Sequence, residues 1–176
     1  MIEGTIPALL TPLTAGGAEV DLEALEEHVT WLAECGVRRV SPLGSTGEGP
    51  SLSLAERVRV LERLARHPAR IALLAGTGCT SLPETIELSR RALELGVAGL
   101  LVAPPSYYAV TTAGTTAYYA RLLDALPPEA RVFAYHIPSL TAVPIEDETL
   151  RALGPRLAGA KDSGGDPAHT ARWVRD

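Results

Sequence analysis

The sequence predicts an α/β fold built on a parallel sheet, and three observations support this prediction. Short apolar runs alternate along the 176-residue chain with longer stretches of helical period. The runs are apolar throughout, as in strands that are buried on both faces of a parallel sheet. Glycine-rich and polar loops follow the strands, whereas the loops that precede them are plainer. Because α/β folds form their sites at the carboxyl ends of strands, we expect the functional residues in these loops.

The predicted elements repeat one strand–helix unit. The strands are expected at residues 5–10, 39–43, 71–75, 99–103, 132–136 and 159–161. The helices are expected at about 22–35, from 53, from 81, at 112–125, at about 146–153 and from about 167. Ser53 and Glu56 form a capping box that starts the second helix. Ser81, Pro83 and Glu84 supply a cap, an early proline and a first-turn acid to the third helix.

Composition and charge restrict the class of protein. A net charge of −5 and 46% hydrophobic residues are typical of a globular protein, and we expect residues 1–176 to form one domain. The mild acidity argues against a nucleic-acid partner. With no long apolar stretch and no leader in the sequence, we expect no membrane association and a cytoplasmic location. The four histidines form no HxxxH or HxH pair, so we expect no metal site.

Lys161 is the only lysine in the sequence, against 15 arginines. A guanidinium can replace an ammonium as a surface charge, but it stays protonated and cannot form an imine with a ketone. A lone lysine at the end of an apolar run therefore indicates an amine kept for covalent chemistry. The alternative is codon bias that removed the other lysines and left this one by chance.

Five motifs, in order, resemble the dihydrodipicolinate synthase / N-acetylneuraminate lyase family. The resemblance runs from Gly4 to Asp166, and each motif falls on the predicted site face. It implies a TIM (β/α)8 barrel and a class I, Schiff-base lyase or aldolase that acts on pyruvate without a cofactor. The motifs are Gly44-Ser45-Thr46-Gly47-Glu48, Ala75-Gly76-Thr77-Gly78, Pro104-Pro105-Ser106-Tyr107-Tyr108, Tyr135-His136-Ile137-Pro138 and Gly159-Ala160-Lys161-Asp162.

The resemblance assigns the covalent step to Lys161, whose amine would attack the ketone of pyruvate. The amine must be neutral to attack, and burial at the barrel mouth would disfavour the ammonium form. Tyr135 would be the proton shuttle, unless its hydroxyl only caps the core. Lys161 should point to the site and Asp162 away from it, because neighbouring strand residues alternate faces. For Asp162 we favour a role in the loop or as a helix cap.

Four further residues receive roles from the resemblance. Ser45 would relay the proton, and Thr46 and Gly47 would bind the substrate carboxylate, although Ser-Thr-Gly-Glu is also ordinary turn chemistry. Tyr107 would reach across a dimer interface into the neighbouring site, which implies a homo-oligomer, a dimer or tetramer. The alternative for Tyr107 is a surface aromatic in a proline-rich loop.

One departure from the family narrows the substrate. Leu140 stands where the synthase branch has an arginine for the carboxylate of the second substrate, and leucine cannot supply that bidentate contact. We therefore expect an N-acetylneuraminate lyase or a 2-keto-3-deoxy sugar acid aldolase, with pyruvate and an aldehyde as the two halves. The alternative is 4-hydroxy-tetrahydrodipicolinate synthase. His136 stands where asparagine is common; it is either a polar substrate contact or a hydrogen-bonded residue facing the helix layer, and we favour the second.

The length of the chain does not fit a whole barrel. An eight-unit barrel needs about 250 residues, and the pattern predicts six strand–helix units. We expect an incomplete barrel, truncated at its carboxyl end relative to the family. The chain would be a fragment, one of two polypeptides, or a truncated product; as a further alternative it is a non-catalytic relative that retains the motifs.

Overall fold

Five strands alternate with helices in the computed structural model of the chain, which describes residues 4–175. The strands follow the order β1-β2-β3-β4-β5 across the sheet, so each pairs with its sequence neighbours. The β1–β2 and β4–β5 pairs are parallel, as the strand–helix alternation predicts. The strands are β1 (Arg39–Val40), β2 (Ala72–Gly76), β3 (Gly99–Val102), β4 (Val132–His136) and β5 (Gly159–Asp162).

The second helix begins where the sequence places its cap. Ser53 Oγ accepts a hydrogen bond from the Glu56 amide at 3.3 Å, and the Glu56 carboxylate accepts one from the Ser53 amide at 2.8 Å, which confirms the capping box. The prediction for 112–125 is confirmed at both ends. The helices are α1 (Leu22–Glu34), α2 (Leu54–Ala65), α3 (Leu82–Glu94), α4 (Thr112–Ala125), α5 (Pro138–Thr141), α6 (Asp147–Leu153) and α7 (Pro167–Arg175).

The described chain divides into two compact units. The first comprises the residues up to Thr77 together with Glu87–Leu100, and the second comprises Gly78–Ile86 together with the residues from Leu101 onwards. Each unit has its own apolar core. The fully buried core residues of the first unit include Leu25, Val40, Val60, Leu61 and Ala75, and those of the second include Val102, Tyr119, Leu122, Val132 and Ile145.

The predicted first strand, at residues 5–10, is wrong as a strand. Only Ala8 pairs with Ser41, as an isolated parallel bridge. The Ser41 amide donates to the Pro7 carbonyl at 2.8 Å, and the Leu9 amide donates to the Ser41 carbonyl at 2.9 Å. Pro7 has no amide hydrogen, so the ladder cannot extend through it. Leu10 is largely exposed, and the segment therefore provides only a bridge where a full strand was expected.

Two shorter features also depart from the sequence pattern. The second predicted strand, at 39–43, keeps only two residues, because a turn begins at Pro42. A one-turn helix, α5, follows β4 where the sequence indicated a loop, and Pro138 stands in its first turn, the place in a helix that proline suits best. Both changes affect the loops at the carboxyl ends of strands, which are the loops that carry the predicted site residues.

None of the helices found within residues 4–175 combines the length and the apolar character that a membrane crossing requires.

Candidate active site

Lys161 and Tyr135 are neighbours on paired strands in the second unit. Tyr135 of β4 stands opposite Lys161 of β5 in the parallel register. The Lys161 Nζ lies 3.7 Å from the centroid of the Tyr135 ring, and it donates a hydrogen bond to Ser163 Oγ at 3.2 Å. The Tyr135 side chain is buried, so its ring provides a fixed platform. The two residues predicted for imine formation and proton transfer therefore lie side by side.

The expected burial of Lys161 is wrong, since the residue is exposed. β5 is the last strand of the sheet among residues 4–175. The side chain is covered by Tyr135 on one side and by the loop that follows β5 on another. A contact between an ammonium and an aromatic face is worth about 0.5–1 kcal/mol at such exposed sites, and this contact orients the amine rather than burying it.

Tyr107 occupies a loop of the second unit with its side chain in solvent. It is 85% exposed, and its ring meets the exposed Tyr108 edge-on with 4.9 Å between centroids. Its φ is +85°, a backbone conformation that is uncommon for a tyrosine. The loop thus presents two aromatic side chains outward, and the structure leaves them uncovered by the rest of residues 4–175.

Ser45, Thr46 and Gly47 belong to the first unit, in the turn that follows β1. The turn closes on itself, because the Glu48 amide donates to the Ser45 carbonyl at 3.1 Å and the Gly49 amide donates to the Gly44 carbonyl at 3.2 Å. Thr46 is exposed and Ser45 is half-buried. Both hydroxyl side chains are thus accessible at the carboxyl end of a strand, as the sequence predicts.

Gly47 is required by packing in addition to any role in anion binding. A Cβ at this position would lie 2.6 Å from the Leu9 carbonyl oxygen, too close for any side chain. The Gly47 carbonyl accepts a hydrogen bond from Thr11 Oγ1 at 2.6 Å. The segment around residues 9–11 therefore packs directly on the turn, and this contact by itself accounts for a glycine at position 47.

The opposite face of β5 carries a second cluster of polar side chains. His136 and Asp162 are paired in the register of β4 and β5, one residue after Tyr135 and Lys161. The Asp162 side chain is 4% exposed, and its carboxylate accepts from His169 Nδ1 at 2.9 Å and from Thr170 Oγ1 at 2.6 Å, both on α7. The ring of His136 stacks on that of His169 with 4.6 Å between centroids.

The pKa values in this cluster follow from burial and hydrogen bonding. Burial alone would raise the pKa of the Asp162 carboxyl, but the hydrogen bonds from Thr170, His169 and Gly164 outweigh it and lower the pKa to about 2. Burial lowers the pKa of His136, and the neighbouring His169 lowers it further. Asp162 is thus an ionised, nearly inaccessible carboxylate. Its side chain points away from Lys161, as predicted. It binds the Gly164 amide in the loop, as a loop residue would, and it also links β5 to α7.

Acidification should remove part of this stabilisation. The pKa of Asp162 is about 2 in the folded chain and about 3.9 in an unfolded one. Its contribution is therefore complete above about pH 5 and is lost progressively as the pH falls through 4 and below 2, on the order of 2 kcal/mol in all. Urea unfolding at about pH 5 and about pH 3 measures about half of this loss. An Asp162→Asn variant should show a smaller difference between the two pH values; an equal difference would contradict the assignment.

Three residues of this cluster have the spacing of metal ligands. Ligand atoms of His136, Asp162 and His169 lie within 4.8 Å of one another. However, His136 Nδ1 accepts a hydrogen bond from the Ile145 amide at 3.0 Å, so the neutral ring carries its proton on Nε2, the nitrogen that faces Asp162. A metal ion on Nε2 would need the opposite tautomer. The hydrogen bonds therefore favour a carboxylate–imidazole cluster over a metal site.

The sequence pattern missed part of this arrangement. Ser163, beside the amine, and His169, on α7, carry no motif of their own. One pattern in the sequence could have indicated the cluster. His136 and Asp162 each follow a predicted site residue by one position, so both side chains lie on the opposite face of the sheet. The interpretation of His136 as a hydrogen-bonded residue facing the helix layer is confirmed by its bond to Ile145 and its stacking on α7.

Comparisons with known proteins identify the relatives of the chain. Residues 1–175 match the Dihydrodipicolinate synthetase family. An uncharacterised DapA-like lyase of Chloroflexus aurantiacus is 46% identical over 176 residues, which cover 97% of this chain and 59% of the relative. A 4-hydroxy-tetrahydrodipicolinate synthase of Rhizobium meliloti is 36% identical over 169 residues, which cover 94% of this chain and 56% of the relative.

A solved structure agrees with this match. The chloride-inhibited dihydrodipicolinate synthase of Acinetobacter baumannii, complexed with pyruvate, superposes with a TM-score of 0.91 and 33% identity, over 99% of this chain and 60% of the other. The chain thus spans about three fifths of the length of the relatives it matches. The α/β class and the barrel family are confirmed. By sequence match and superposition together, this chain belongs to the dihydrodipicolinate synthetase family.

Proposed function

We propose that the chain supplies the Schiff-base lysine of a pyruvate-dependent lyase or aldolase. The observation that carries this proposal is the Lys161 amine held 3.7 Å from the centroid of the buried Tyr135 ring at paired strand positions. The pyruvate bound by the synthase of Acinetobacter baumannii supports pyruvate as the ketone. Lys161 is also the only lysine of the sequence, so no other side-chain amine competes for this role.

In the proposed reaction, the neutral Lys161 amine adds to the C2 carbonyl of pyruvate, and loss of water leaves a protonated imine. That cation withdraws electrons from the adjacent methyl group, which then loses a proton and becomes an enamine. The Tyr135 hydroxyl takes this proton from the methyl group and later returns it. In the forming direction, the enamine carbon attacks an aldehyde and makes the new C–C bond. Water then hydrolyses the imine and restores the amine.

The remaining residues are assigned by the resemblance. We propose that Ser45 relays the proton and that Thr46 and Gly47 bind the carboxylate of pyruvate. Tyr107 is proposed to act across an interface in a homo-oligomer, a dimer or tetramer. The 85% exposure of its side chain supports this last proposal, because a residue that serves a neighbouring subunit must project from its own chain.

For the second substrate, the proposal favours the aldehyde of a sugar acid, as in an N-acetylneuraminate lyase or a 2-keto-3-deoxy sugar acid aldolase. Leu140 is 65% exposed on α5 and has no guanidinium to bind a carboxylate. The second candidate is 4-hydroxy-tetrahydrodipicolinate synthase, which is favoured by the names of relatives such as that of Rhizobium meliloti. A panel of sugar aldehydes and aspartate semialdehyde, each offered with pyruvate, separates the two.

Borohydride reduction in the presence of pyruvate tests the proposed function. We expect one reduced pyruvate adduct per chain, detected by intact mass and assigned to Lys161 by peptide mapping. The imine is the species that borohydride reduces, so an adduct reports both attack and dehydration. The reaction should need pyruvate, and lactate, which has no ketone, should leave the chain unmodified.

The Lys161→Arg variant is the matched control. It retains a cation at position 161 and removes the amine, so the adduct should disappear from that peptide. The chain's α-amino group is the competing amine, and any adduct there should persist in the variant. An unmodified Lys161 in a folded sample, with the ketone in excess, would rule out the proposed function and favour a non-catalytic relative.

A further inference from the structure

The Asp162 carboxylate joins three parts of the second unit. It accepts from Thr170 Oγ1 at 2.6 Å and from His169 Nδ1 at 2.9 Å, which fasten α7 to β5. It also accepts from the Gly164 amide at 2.8 Å, which fixes the loop between them. Hydrogen bonds to a charged acceptor are stronger than neutral ones, and here three of them converge on a side chain that is 4% exposed.

The loop fixed by Asp162 carries a contact of the amine. Ser163 Oγ lies 3.2 Å from Lys161 Nζ, and the Ser163 amide donates to the His136 carbonyl at 2.8 Å. The next residue is packed against His136, since a Cβ at Gly164 would lie 2.7 Å from His136 Nε2. The position of Ser163 therefore depends on the two bonds that flank it, one to the backbone of β4 and one to Asp162.

Helix α7 is held on the same face by aromatic side chains. The rings of His136, His169 and Trp173 contact one another, with centroid distances of 4.6, 4.4 and 5.3 Å. Trp173 Nε1 donates to the Asp147 carboxylate at 2.9 Å, which connects α7 to α6. These ring contacts and the bonds to Asp162 and Asp147 connect α7 to β4, β5 and α6.

We propose that Asp162 is a positioning residue for Lys161. Lys161 is exposed, and its amine meets only the Tyr135 ring and the Ser163 hydroxyl among the contacts found in residues 4–175. On the other face of β5, Asp162 binds His169 and Thr170 of α7. Its bond with the Gly164 amide also fixes the loop whose Ser163 hydroxyl contacts the amine. This inference rests on the proposed function in one respect: imine formation is the step for which Asp162 positions the amine.

The single lysine makes this inference directly measurable. Protein grown with lysine labelled with ¹³C at Cε gives one side-chain signal, that of Lys161, because the sequence contains no other lysine. The Cε protons lie near the Tyr135 ring, so its ring current should shift them upfield of their position in an unfolded chain. That shift reports the placement of the amine in the folded chain and does not depend on pyruvate.

Asp162→Asn is the main variant. Asparagine removes the negative charge and turns one acceptor into a donor, so the charge-assisted bonds from His169, Thr170 and Gly164 are weakened or reversed. We expect the Lys161 signal of the folded protein to move towards the unfolded position and the borohydride trapping rate to fall about tenfold or more. Asp166→Asn is the matched control, because asparagine keeps the capping acceptor for the Ala168 amide and the same charge is removed.

A second variant covers the case in which Asp162→Asn does not fold. Thr170→Val removes one donor to Asp162 and keeps the shape of the side chain, so a smaller shift in the same direction is expected. The inference is overturned if either variant folds and its Lys161 signal stays at the position found in the unaltered chain. Absence of a pyruvate adduct in the unaltered chain would instead refute the proposed function, and the signal would still decide the role of Asp162.

Discussion

Replacing Tyr135 with phenylalanine should slow proton exchange at the methyl group of bound pyruvate by about 100-fold or more. Phenylalanine keeps the ring against which the Lys161 amine lies, so the contact at 3.7 Å is retained. The variant loses only the hydroxyl proposed to take and return the proton. Imine formation should therefore persist, and the adduct on Lys161 should still be trapped by borohydride.

Exchange of the pyruvate methyl protons into deuterated water, followed by NMR, measures this effect. Tyr108→Phe is the matched control, since it removes a hydroxyl from an exposed tyrosine of the second unit. Exchange that proceeds at the original rate in Tyr135→Phe would assign the proton transfer to another group. Loss of the adduct together with exchange would indicate that the hydroxyl serves the attack by the amine.

Gly49→Ala should destabilise the first unit by about 3 kcal/mol. Gly49 opens a 3-10 turn and packs on the backbone of Leu43, so that a Cβ would lie 2.7 Å from the Leu43 carbonyl carbon. Neither backbone can yield easily, because Leu43 already has a φ of +61° and the Gly49 amide is bonded to the Gly44 carbonyl. Urea unfolding of the variant measures the change in free energy.

Gly44→Ala is the control in the same turn. No atom lies within 4 Å of a Cβ at Gly44, so this substitution should cost less than about 1 kcal/mol. Equal losses in the two variants would show that the turn resists any added methyl group, and that the contact with Leu43 is not the cause.

The fold could be predicted where local patterns decide it. The helix predicted at 112–125 is confirmed at both ends, and the capping box at Ser53 places α2. The first strand could not be predicted, since its pairing depends on how the segment meets Ser41 and not on its own apolar residues. Local sequence gives an element's type more reliably than its partners.

The site shows the same division. The resemblance places Lys161 and Tyr135 together, and their paired positions follow from the register. Lys161 is exposed because β5 is the last strand of the sheet among residues 4–175, as an incomplete barrel implies. The contacts of Asp162 with His169 and Thr170 were beyond the sequence, since they require the angle at which α7 returns to the back of β5.

The register of β4 and β5 gives the two faces of β5 different chemistry: one face suits a cation beside Tyr135, and the other suits a carboxylate beside His169. A one-residue deletion ahead of Lys161 would place Asp162 opposite Tyr135, because side chains alternate along a strand. The carboxylate would then meet the electron-rich face of the Tyr135 ring, and His169 and Thr170 would lose the acceptor of their hydrogen bonds. Both changes are unfavourable. The alternation of charge along two adjacent residues thus protects the strand against slippage, whatever reaction the amine performs.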